Sequence, residues 1–495
     1  MRSVLKAAFG DLSKQAEQAF DLLGNDELLS VEGYEPLPTA AHAQFSVQLA
    51  ERLGAALDAD PSLGGDVCLT SDALSQACLD AAISRWSFPI FHRALSPLEL
   101  EGYRQVAREE GIGQVVAELL LSPEMLLLIE LGGEVGTDSQ LAATQEERAA
   151  QLAFSLTGGP PDEAWFQRFM AAAGSEESER MAAIELTQTS GFEARIRELF
   201  SLYLGIRSQP RVQAFEGLLR GLEPRALERE MRAELERFQE HVLSSSGNQF
   251  AELLTSPLAF PEGELAELLG VAAAPLGVEL SERPGILLRA ATLSDGQNHT
   301  SPILRGLFVL EQFLCVELPT PDPNLVQERL SEVTTDRLKQ TTRERVDAVT
   351  QSPACAACHG VINSFGFALE GFDAIGRARE LELVFDEAGE VVAEHAVDVA
   401  VDVATLPTQS VTSAAELAFA IAADPRSAEC FARRALQLVQ LAEHTDSCAL
   451  ERSTEALTAD NAELGVALLE SAVSRSRGGL RIPTDAQLPA EEANP

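Results

Sequence analysis

Basic residues and long apolar runs are both scarce in this chain. Its 495 residues include 37 Lys and Arg against 77 Asp and Glu, so the formal net charge is −40. A charge of that sign opposes binding to nucleic acid and to anionic membranes, and it favours cationic partners. The most apolar stretch, residues 119–131, is interrupted by Pro123, Glu124 and Glu130. Because no run approaches about eighteen apolar residues, we predict no membrane span. The acidic charge predicts no nucleic-acid partner.

Several sequence signatures of enzymes are also missing. The chain has no Ser, His and Asp order typical of hydrolases, no glycine-rich phosphate loop and no His cluster at metal-ligand spacing. The apolar fraction of 45% is typical of globular proteins. The length predicts about three domains, each large enough to bury a core. Any chemistry must therefore come from another kind of site.

One short motif does carry chemistry. Cys355 and Cys358 are separated by two residues, and His359 follows directly. This is the spacing used for covalent attachment of a c-type haem. Each thiol adds across one vinyl group of the porphyrin, and the adjoining imidazole becomes the proximal iron ligand. The motif therefore predicts haem c, with Cys355 and Cys358 binding the porphyrin and His359 binding the metal.

Two other interpretations of the motif remain open. A half zinc site would need two more ligands, and none lies within about thirty residues at the usual spacing. A redox-active dithiol of the thioredoxin kind prefers a strand and helix context, whereas Pro353 and Gly360 predict a turn around the motif. Haem attachment is the favoured interpretation.

The run CAACHGVINSFGFALEGFDAIGR, which begins at Cys355, resembles the C-terminal cytochrome-like part of a family of bacterial envelope proteins first noted in planctomycetes. Members of that family contain several domains of unknown function, and their pattern is close to C-x-x-C-H-x-x-I-D-P-x-G-F-x-x-E-x-F-D-x-x-G-x-x-R. The matching positions after the haem residues are Ile362, Gly366, Phe367, Glu370, Phe372, Asp373, Gly376 and Arg377. Asn363-Ser364 replaces the Asp-Pro pair, which we expect to loosen the turn after the motif.

The resemblance extends over most of the chain, through residues 85–103, 158–174 and 285–324. It implies a mainly α, multidomain helical protein with a small cytochrome c-like haem segment. Alternating residues in 381–403 around Ala388-Gly389 predict one β-hairpin near the C-terminus. The predicted domains are a remnant of an N-terminal helical domain at 1–65, helical domains at 66–135 and 140–275, a cytochrome c-like segment at 280–380, a hairpin plus helical domain at 381–485, and a disordered tail at 486–495.

The other five cysteines favour an oxidising compartment. Sequence proximity pairs Cys68 with Cys78 and Cys430 with Cys448, and leaves Cys315 over. Haem c is attached outside the bacterial cytoplasm, so the motif predicts a periplasmic or cell-envelope protein. Residues 1–11 lack the apolar core of a signal peptide. We therefore expect that the true start, with its export signal, lies upstream.

The sixth iron ligand is left open by the sequence. No Met follows Met231, so the second axial ligand would be His395, His444, Met231 or His299, or it would be absent. Each of these residues also has an ordinary structural interpretation, as a core, strand or helix-end residue.

Three further residues have two interpretations each. Arg305 and Arg377 are candidates for pairing with haem propionates, because a guanidinium binds a carboxylate through two parallel hydrogen bonds. Surface ion pairs are the alternative for both. His92 is expected in or near the core rather than on iron.

The favoured function is single-electron transfer through one covalent haem. Two strong axial ligands would make an outer-sphere carrier, and the acidic surface predicts a redox partner protein with a cationic patch. An open axial position would instead permit a haem oxidoreductase acting on an unknown substrate. A third interpretation is an envelope scaffold or binding module with a structural metal site.

Overall fold

The computed structural model describes residues 2–10, 40–65, 67–70, 75–125, 127–133, 140–172, 175–332, 335–440, 447–477 and 480–481. Helices dominate this part of the chain, so the predicted mainly α fold is confirmed. The predicted tail at 486–495 and His444 lie outside the described residues.

Twenty-two α-helices follow one another along the described ranges. The first nine are α1 (Arg2–Phe9), α2 (Ala40–Ala59), α3 (Gln76–Phe91), α4 (Pro97–Glu109), α5 (Ile112–Leu121), α6 (Gln145–Thr157), α7 (Glu163–Ala172), α8 (Glu176–Leu186) and α9 (Ser190–Leu204). The next seven are α10 (Glu216–Leu219), α11 (Pro224–Ser244), α12 (Gln249–Thr255), α13 (Gly263–Leu269), α14 (Ala290–Leu293), α15 (Pro302–Phe308) and α16 (Pro323–Glu332). The last six are α17 (Thr342–Thr350), α18 (Pro353–Phe367), α19 (Ala414–Ala422), α20 (Pro425–Gln440), α21 (Ser447–Thr458) and α22 (Gly465–Arg477).

Short strands pair antiparallel within the described residues. They are β1 (Gln140–Leu141) with β8 (Leu480–Arg481), β2 (Leu258–Ala259) with β3 (Val278–Glu279), β4 (Leu381–Phe385) with β5 (Val391–Ala396), and β6 (Val401–Asp402) with β7 (Ser410–Val411). The β4–β5 pair confirms the predicted hairpin, and Gly389 in its turn has φ +84°. Glycine accepts that left-handed conformation without a steric penalty.

Several helix starts follow from the local sequence. Ser96 accepts a hydrogen bond from the Glu99 amide, while the Glu99 carboxylate accepts one from the Ser96 amide. This capping box satisfies two amides that the first turn of α4 leaves without partners. Asp162 likewise accepts from the Trp165 amide at 3.0 Å at the start of α7, and Pro302 is the first residue of α15.

The chain forms two compact units. The first comprises residues Met1–Arg197, Leu438–Glu443 and Leu469–Pro495, and the second comprises Glu198–Gln437 and His444–Leu468. The finer domain boundaries expected from the sequence stay a prediction.

The first unit has an apolar core between α1, α2, α3 and α5, with the fully buried Trp86 at its centre. Helices α2 and α5 approach closely where Gly54 faces Gly113, since a Cβ at Gly54 would lie 2.7 Å from the Gly113 carbonyl oxygen. Cys68 and Cys78 form the predicted disulfide.

His92 ends α3 in the left-handed conformation, with φ +57°, and its side chain is buried against Phe154. Its Nε2 atom has no hydrogen-bond partner within the described chain. Burial lowers the pKa of His92 from 6.5 to about 4, because the charged ring would lose its hydration. The core placement expected from the sequence is confirmed.

This histidine makes the first unit sensitive to acid. Between pH 6.5 and pH 4 the unfolded state binds a proton that the folded state does not, so stability falls as the pH drops through this window. At pH 5 the loss is about 2 kcal/mol. His92→Asn keeps a residue that tolerates the left-handed conformation. Urea denaturation at pH 7 and pH 5 is expected to show a smaller acid loss in the variant, and an equal loss would contradict this account.

The second unit is built around α11. The buried stripe of this helix follows the helical spacing of its apolar residues. It consists of Leu227, Met231, Leu235, Phe238 and Val242. Met231 is fully buried, which agrees with its interpretation as a core residue.

One predicted disulfide is wrong. Cys430 pairs with Cys315 rather than with Cys448, and the two Cα atoms are 5.2 Å apart across 115 residues of sequence. Cys448 is exposed on α21. Proximity in sequence favoured the shorter loop, whereas packing of α20 against the segment after α15 brings the distant thiol within bonding distance.

Candidate functional site

The Cys-x-x-Cys-His motif lies in the first half of a regular helix. Ser352 has an extended backbone and precedes Pro353, which occupies the first turn of α18. Proline is favoured there because its missing N–H has no helical partner. The expected turn around Pro353 and Gly360 is therefore wrong. Ser364, which stands where the resembling family has proline, retains the N–H that a continuous helix needs, so no loosened turn follows the motif.

Helical spacing places the three motif residues on one face. Cys355, Cys358 and His359 occupy positions i, i+3 and i+4 of α18, which lie next to one another on a helix surface. All three residues are half-buried. Cys355 and Cys358 are not bonded to each other. Two reduced thiols and an imidazole thus share one partly accessible surface, as thioether attachment to a porphyrin requires.

The His359 ring is held by an amide. Nδ1 of His359 lies 3.1 Å from Oδ1 of Asn363, and Nδ2 of Asn363 donates to Oγ1 of Thr350 at 2.9 Å. The Asn363 side chain also hydrogen-bonds to Asp347. Because the amide nitrogen faces these two acceptors, its oxygen faces the imidazole and Nδ1 must carry the proton. Nε2 therefore keeps its lone pair for a metal.

The three motif residues match the donor set of a c-type haem. Structural zinc needs four converging Cys, His or carboxylate ligands, and no group of three or more such side chains is arranged around a common point in the described ranges. A c-type haem needs only the imidazole as a ligand from the motif, while the thiols bond to carbon. Cys355, Cys358 and His359 would hold it.

Helix α18 is fixed by direct backbone packing on α15. A Cβ added to Gly366 would lie 1.9 Å from the Pro302 carbonyl oxygen, and one added to Gly306 would lie 2.0 Å from the Ile362 carbonyl oxygen. Both positions therefore require glycine. On its other side, α18 packs against α17, where the Arg343 guanidinium lies 5.0 Å from the centre of the Phe367 ring.

Arg305 is not available to a haem propionate. Its side chain is 1% exposed and forms an ion pair with Asp295 at 3.0 Å. Its guanidinium donates hydrogen bonds to the carbonyl oxygens of Leu293, Leu369, Phe372 and Asp373. The sequence offered two interpretations of Arg305, a propionate partner and a surface ion pair, and both are wrong because the side chain is buried. The sequence alone does not show this burial. Arg305 joins the loop after α18 to the loop before α15.

Further ion pairs extend this buried cluster. Arg207 binds the other oxygen of Asp295 at 3.0 Å, and Arg379 binds Glu370 at 2.9 Å. Glu370 lies 3.6 Å from Arg305. Burial raises the pKa of Glu370, and the two guanidinium groups oppose that rise. Charges therefore alternate in sign along the cluster.

Arg377 lies elsewhere. Nη1 of Arg377 donates to the Leu218 carbonyl oxygen at 2.6 Å and lies 3.7 Å from Asp373. Its side chain lines a cavity whose walls do not include the three motif residues. Pairing of Arg377 with a propionate stays a prediction.

The candidate sixth ligands are spread through the second unit. Met231 is fully buried in α11. His299 lines the cavity beside Arg377. Nε2 of His395 lies 2.9 Å from the Arg337 carbonyl oxygen. The second axial ligand therefore stays a prediction.

The sequence did not identify Asn363, Thr350 or Asp347 as part of the site. Asn363 follows His359 by four residues, which is the spacing of neighbours on a helix. That signal carries information only when the segment is known to be helical, and the expected turn concealed it. Thr350 and Asp347 come from α17, so only tertiary packing brings them to Asn363.

Comparison with known proteins gives two partial matches. Residues 283–382 match a family model described as PSCyt3, a protein of unknown function (DUF1588), and residues 144–271 match one described as PSD4, a protein of unknown function (DUF1592). The Cys-x-x-Cys-His motif lies within the first match. No curated protein and no solved structure matches the chain. In the part of the chain that the structure describes, no helix has the length and apolar character needed to cross a membrane.

Proposed function

We propose that this protein is an exported c-type cytochrome-like protein that carries one covalent haem and transfers single electrons. Cys355 and Cys358 bind the porphyrin as thioethers, and Nε2 of His359 binds the iron. The observation that carries the proposal is the shared helix face of these residues, together with the Asn363 amide that holds the imidazole in the required tautomer. The planctomycete-type resemblance of the surrounding run supports it.

The chemistry of the chain itself is attachment and orientation. On attachment, each thiol would add across one vinyl double bond, with sulfur bonding to one vinyl carbon and the thiol hydrogen to the other. Oδ1 of Asn363 accepts a hydrogen bond from the Nδ1–H of His359 and restrains rotation of the ring. When bound, the haem supplies one-electron exchange between ferrous and ferric iron.

The surface charge points to the class of redox partner. With a net charge of −40, the protein attracts a partner that presents a cationic patch, and electrostatic steering accelerates their encounter. Electron transfer between them is expected to slow as ionic strength rises, because salt screens exposed charges beyond about 8 Å at physiological concentration.

The test is a pyridine haemochrome spectrum of protein secreted with an added export signal in cells that contain the haem c maturation proteins. We expect the absorption of a haem attached through two thioethers, and none from the Cys355→Ala, Cys358→Ala double variant. Carbon monoxide added to the reduced protein distinguishes the carrier from an oxidoreductase. An electron carrier with two axial ligands keeps its spectrum, whereas an open iron site binds the gas.

The hydrogen bond from His359 makes a prediction about the reduction potential. An acceptor at Nδ1 makes the imidazole a stronger donor and stabilises ferric iron. Asn363→Ala removes that acceptor, and the loss of about 1 kcal/mol raises the midpoint potential by about 40 mV. Asn363→Asp provides a stronger acceptor and lowers it. Redox titration of the haem-loaded proteins measures the midpoint potentials. We expect Asn363→Asp to have a lower potential than the wild type and Asn363→Ala a higher one.

Ser364→Ala is the matched control, because the Ser364 hydroxyl bonds to the Gly360 carbonyl oxygen on its own helix rather than to His359. Its midpoint potential is expected to equal that of the wild type. Identical potentials for Asn363→Ala and Asn363→Asp would show that Asn363 does not hold the ligand.

A further inference from the structure

A cavity of about 390 Å³ lies in the second unit, separate from the motif face. Its walls come from α10 and the residue after it, the loop before α15, the start of α17, residues 373–380 after α18 and the hairpin β4–β5. Thr342 lines it at the first residue of α17, whereas Thr350 meets Asn363 at the last. The cavity therefore lies at the end of α17 opposite the His359 network.

Several donors that face this cavity have no acceptor. The exposed Arg220 guanidinium makes no hydrogen bond or ion pair to the described residues. Arg377 uses Nη1 for the Leu218 carbonyl oxygen, and its Nε and Nη2 have no acceptor in that same part of the chain. The His299 ring contacts Phe215 edge-on, with 6.3 Å between ring centres.

The buried carboxylates in the wall are already satisfied. Asp373 accepts from the amides of Ile375 and Arg377 at 3.0 and 2.8 Å. Glu382 accepts from the Thr342 amide at 2.7 Å and pairs with Arg345 at 3.2 Å. Two further wall carboxylates are exposed, so water screens them. These are Glu380 and Glu394. The buried acceptors of the wall therefore have partners, whereas the Arg220 and Arg377 donors described above do not.

Charges of both signs line the cavity, because Arg379 joins Arg220 and Arg377 among the four carboxylates. Burial lowers the pKa of the His299 ring in the wall, so the neutral imidazole is favoured. Apolar side chains complete the wall, among them Leu218, Leu381 and Phe385. A ligand that fits must combine an anionic group with an apolar body.

We propose that this cavity binds a singly charged organic carboxylate. Its carboxylate lies between Arg220 and Arg377, whose free N–H groups suit two parallel hydrogen bonds. Its apolar part packs against Leu218 and Phe385. Inorganic phosphate has no apolar part to contact Leu218 and Phe385, so it binds less well. This inference does not depend on the haem.

Calorimetric titration with hexanoate tests the site. The titrated protein is the full chain carrying Cys355→Ala and Cys358→Ala, so the result is independent of haem attachment. We expect saturable binding that Arg220→Met and Arg377→Met each weaken by about tenfold or more, which corresponds to one charged hydrogen-bonded pair. Arg229→Met is the control, because Arg229 is exposed on α11 and does not line the cavity.

Three results would overturn the proposal. They are no binding of hexanoate, equal binding of neutral hexanamide or of inorganic phosphate, and wild-type affinity in Arg220→Met. Circular dichroism of each variant checks that it is folded. This check is needed because Arg377 also donates a hydrogen bond to the Leu218 carbonyl oxygen. The exposed Arg220 has no such structural contact within the described ranges, so its variant decides the outcome even if Arg377→Met unfolds.

Discussion

Replacement of Arg305 by Met is expected to destabilise the protein by about 3–5 kcal/mol. The substitution leaves four carbonyl oxygens without this donor and removes the central positive charge between Asp295 and Glu370. Buried polar atoms that lose their partners cost about 1–3 kcal/mol each. Urea denaturation at pH 7 measures the change as a lower midpoint with an unchanged slope.

Two further variants separate charge from geometry. Arg305→Lys keeps the positive charge but provides three donors on one nitrogen, which cannot reach carbonyls on both sides of the cluster. It should recover only part of the loss. Lys339→Met is the surface control, because Lys339 is 82% exposed and Asp336 is its one ion-pair partner among the described residues, and exposed pairs contribute about 0–1 kcal/mol. Equal midpoints for Arg305→Met and Lys339→Met would contradict the buried cluster.

Replacement of Gly366 by Ala is the second large effect. The new Cβ would lie 1.9 Å from the Pro302 carbonyl oxygen and 2.9 Å from the Pro302 Cα. Since these are backbone atoms, α15 and α18 must move apart, and we expect a loss of about 3 kcal/mol or more. The same shift disturbs α18, so the yield of haem-loaded protein should fall as well.

Gly360→Ala is a control within the same helix. Apart from its neighbours in α18, no atom of the described residues would lie within 4 Å of a Cβ at Gly360, and alanine in a helix interior is favoured over glycine by about 0.5–1 kcal/mol. The two substitutions therefore have opposite expected signs in thermal or urea denaturation. Stabilisation by both would show that the close contact between α15 and α18 is wrong.

Local sequence signals predicted the local structure well. Helices begin at Ser96 with Glu99, at Asp162 and at Pro302, where the local sequence alone accounts for the start. Gly389 marks the hairpin turn. Each of these features depends on residues a few positions apart, so neighbouring side chains and backbone geometry determine it.

Features that depend on packing were missed. The partner of Cys315 is 115 residues away, and sequence proximity favoured a different pair. The burial of Arg305 depends on carbonyl oxygens from two distant loops. Gly360 and Pro353 suggested a turn at the motif, although proline in a first turn and glycine at an unobstructed position are both compatible with a helix.

The motif residues themselves are the part of the site that the sequence predicted. The spacing of Cys355, Cys358 and His359 predicts that they act together, and the structure places them on one helix face. The motif spacing does not indicate Asn363, whose side-chain oxygen accepts the hydrogen bond that orients the imidazole.

Intact mass spectrometry of secreted wild-type protein, made with the haem c maturation proteins, tests the central claim most directly. The account predicts a mass equal to the polypeptide plus one haem, and the bare polypeptide for the Cys355→Ala, Cys358→Ala variant. A wild-type protein that carries no haem and keeps both thiols would contradict it.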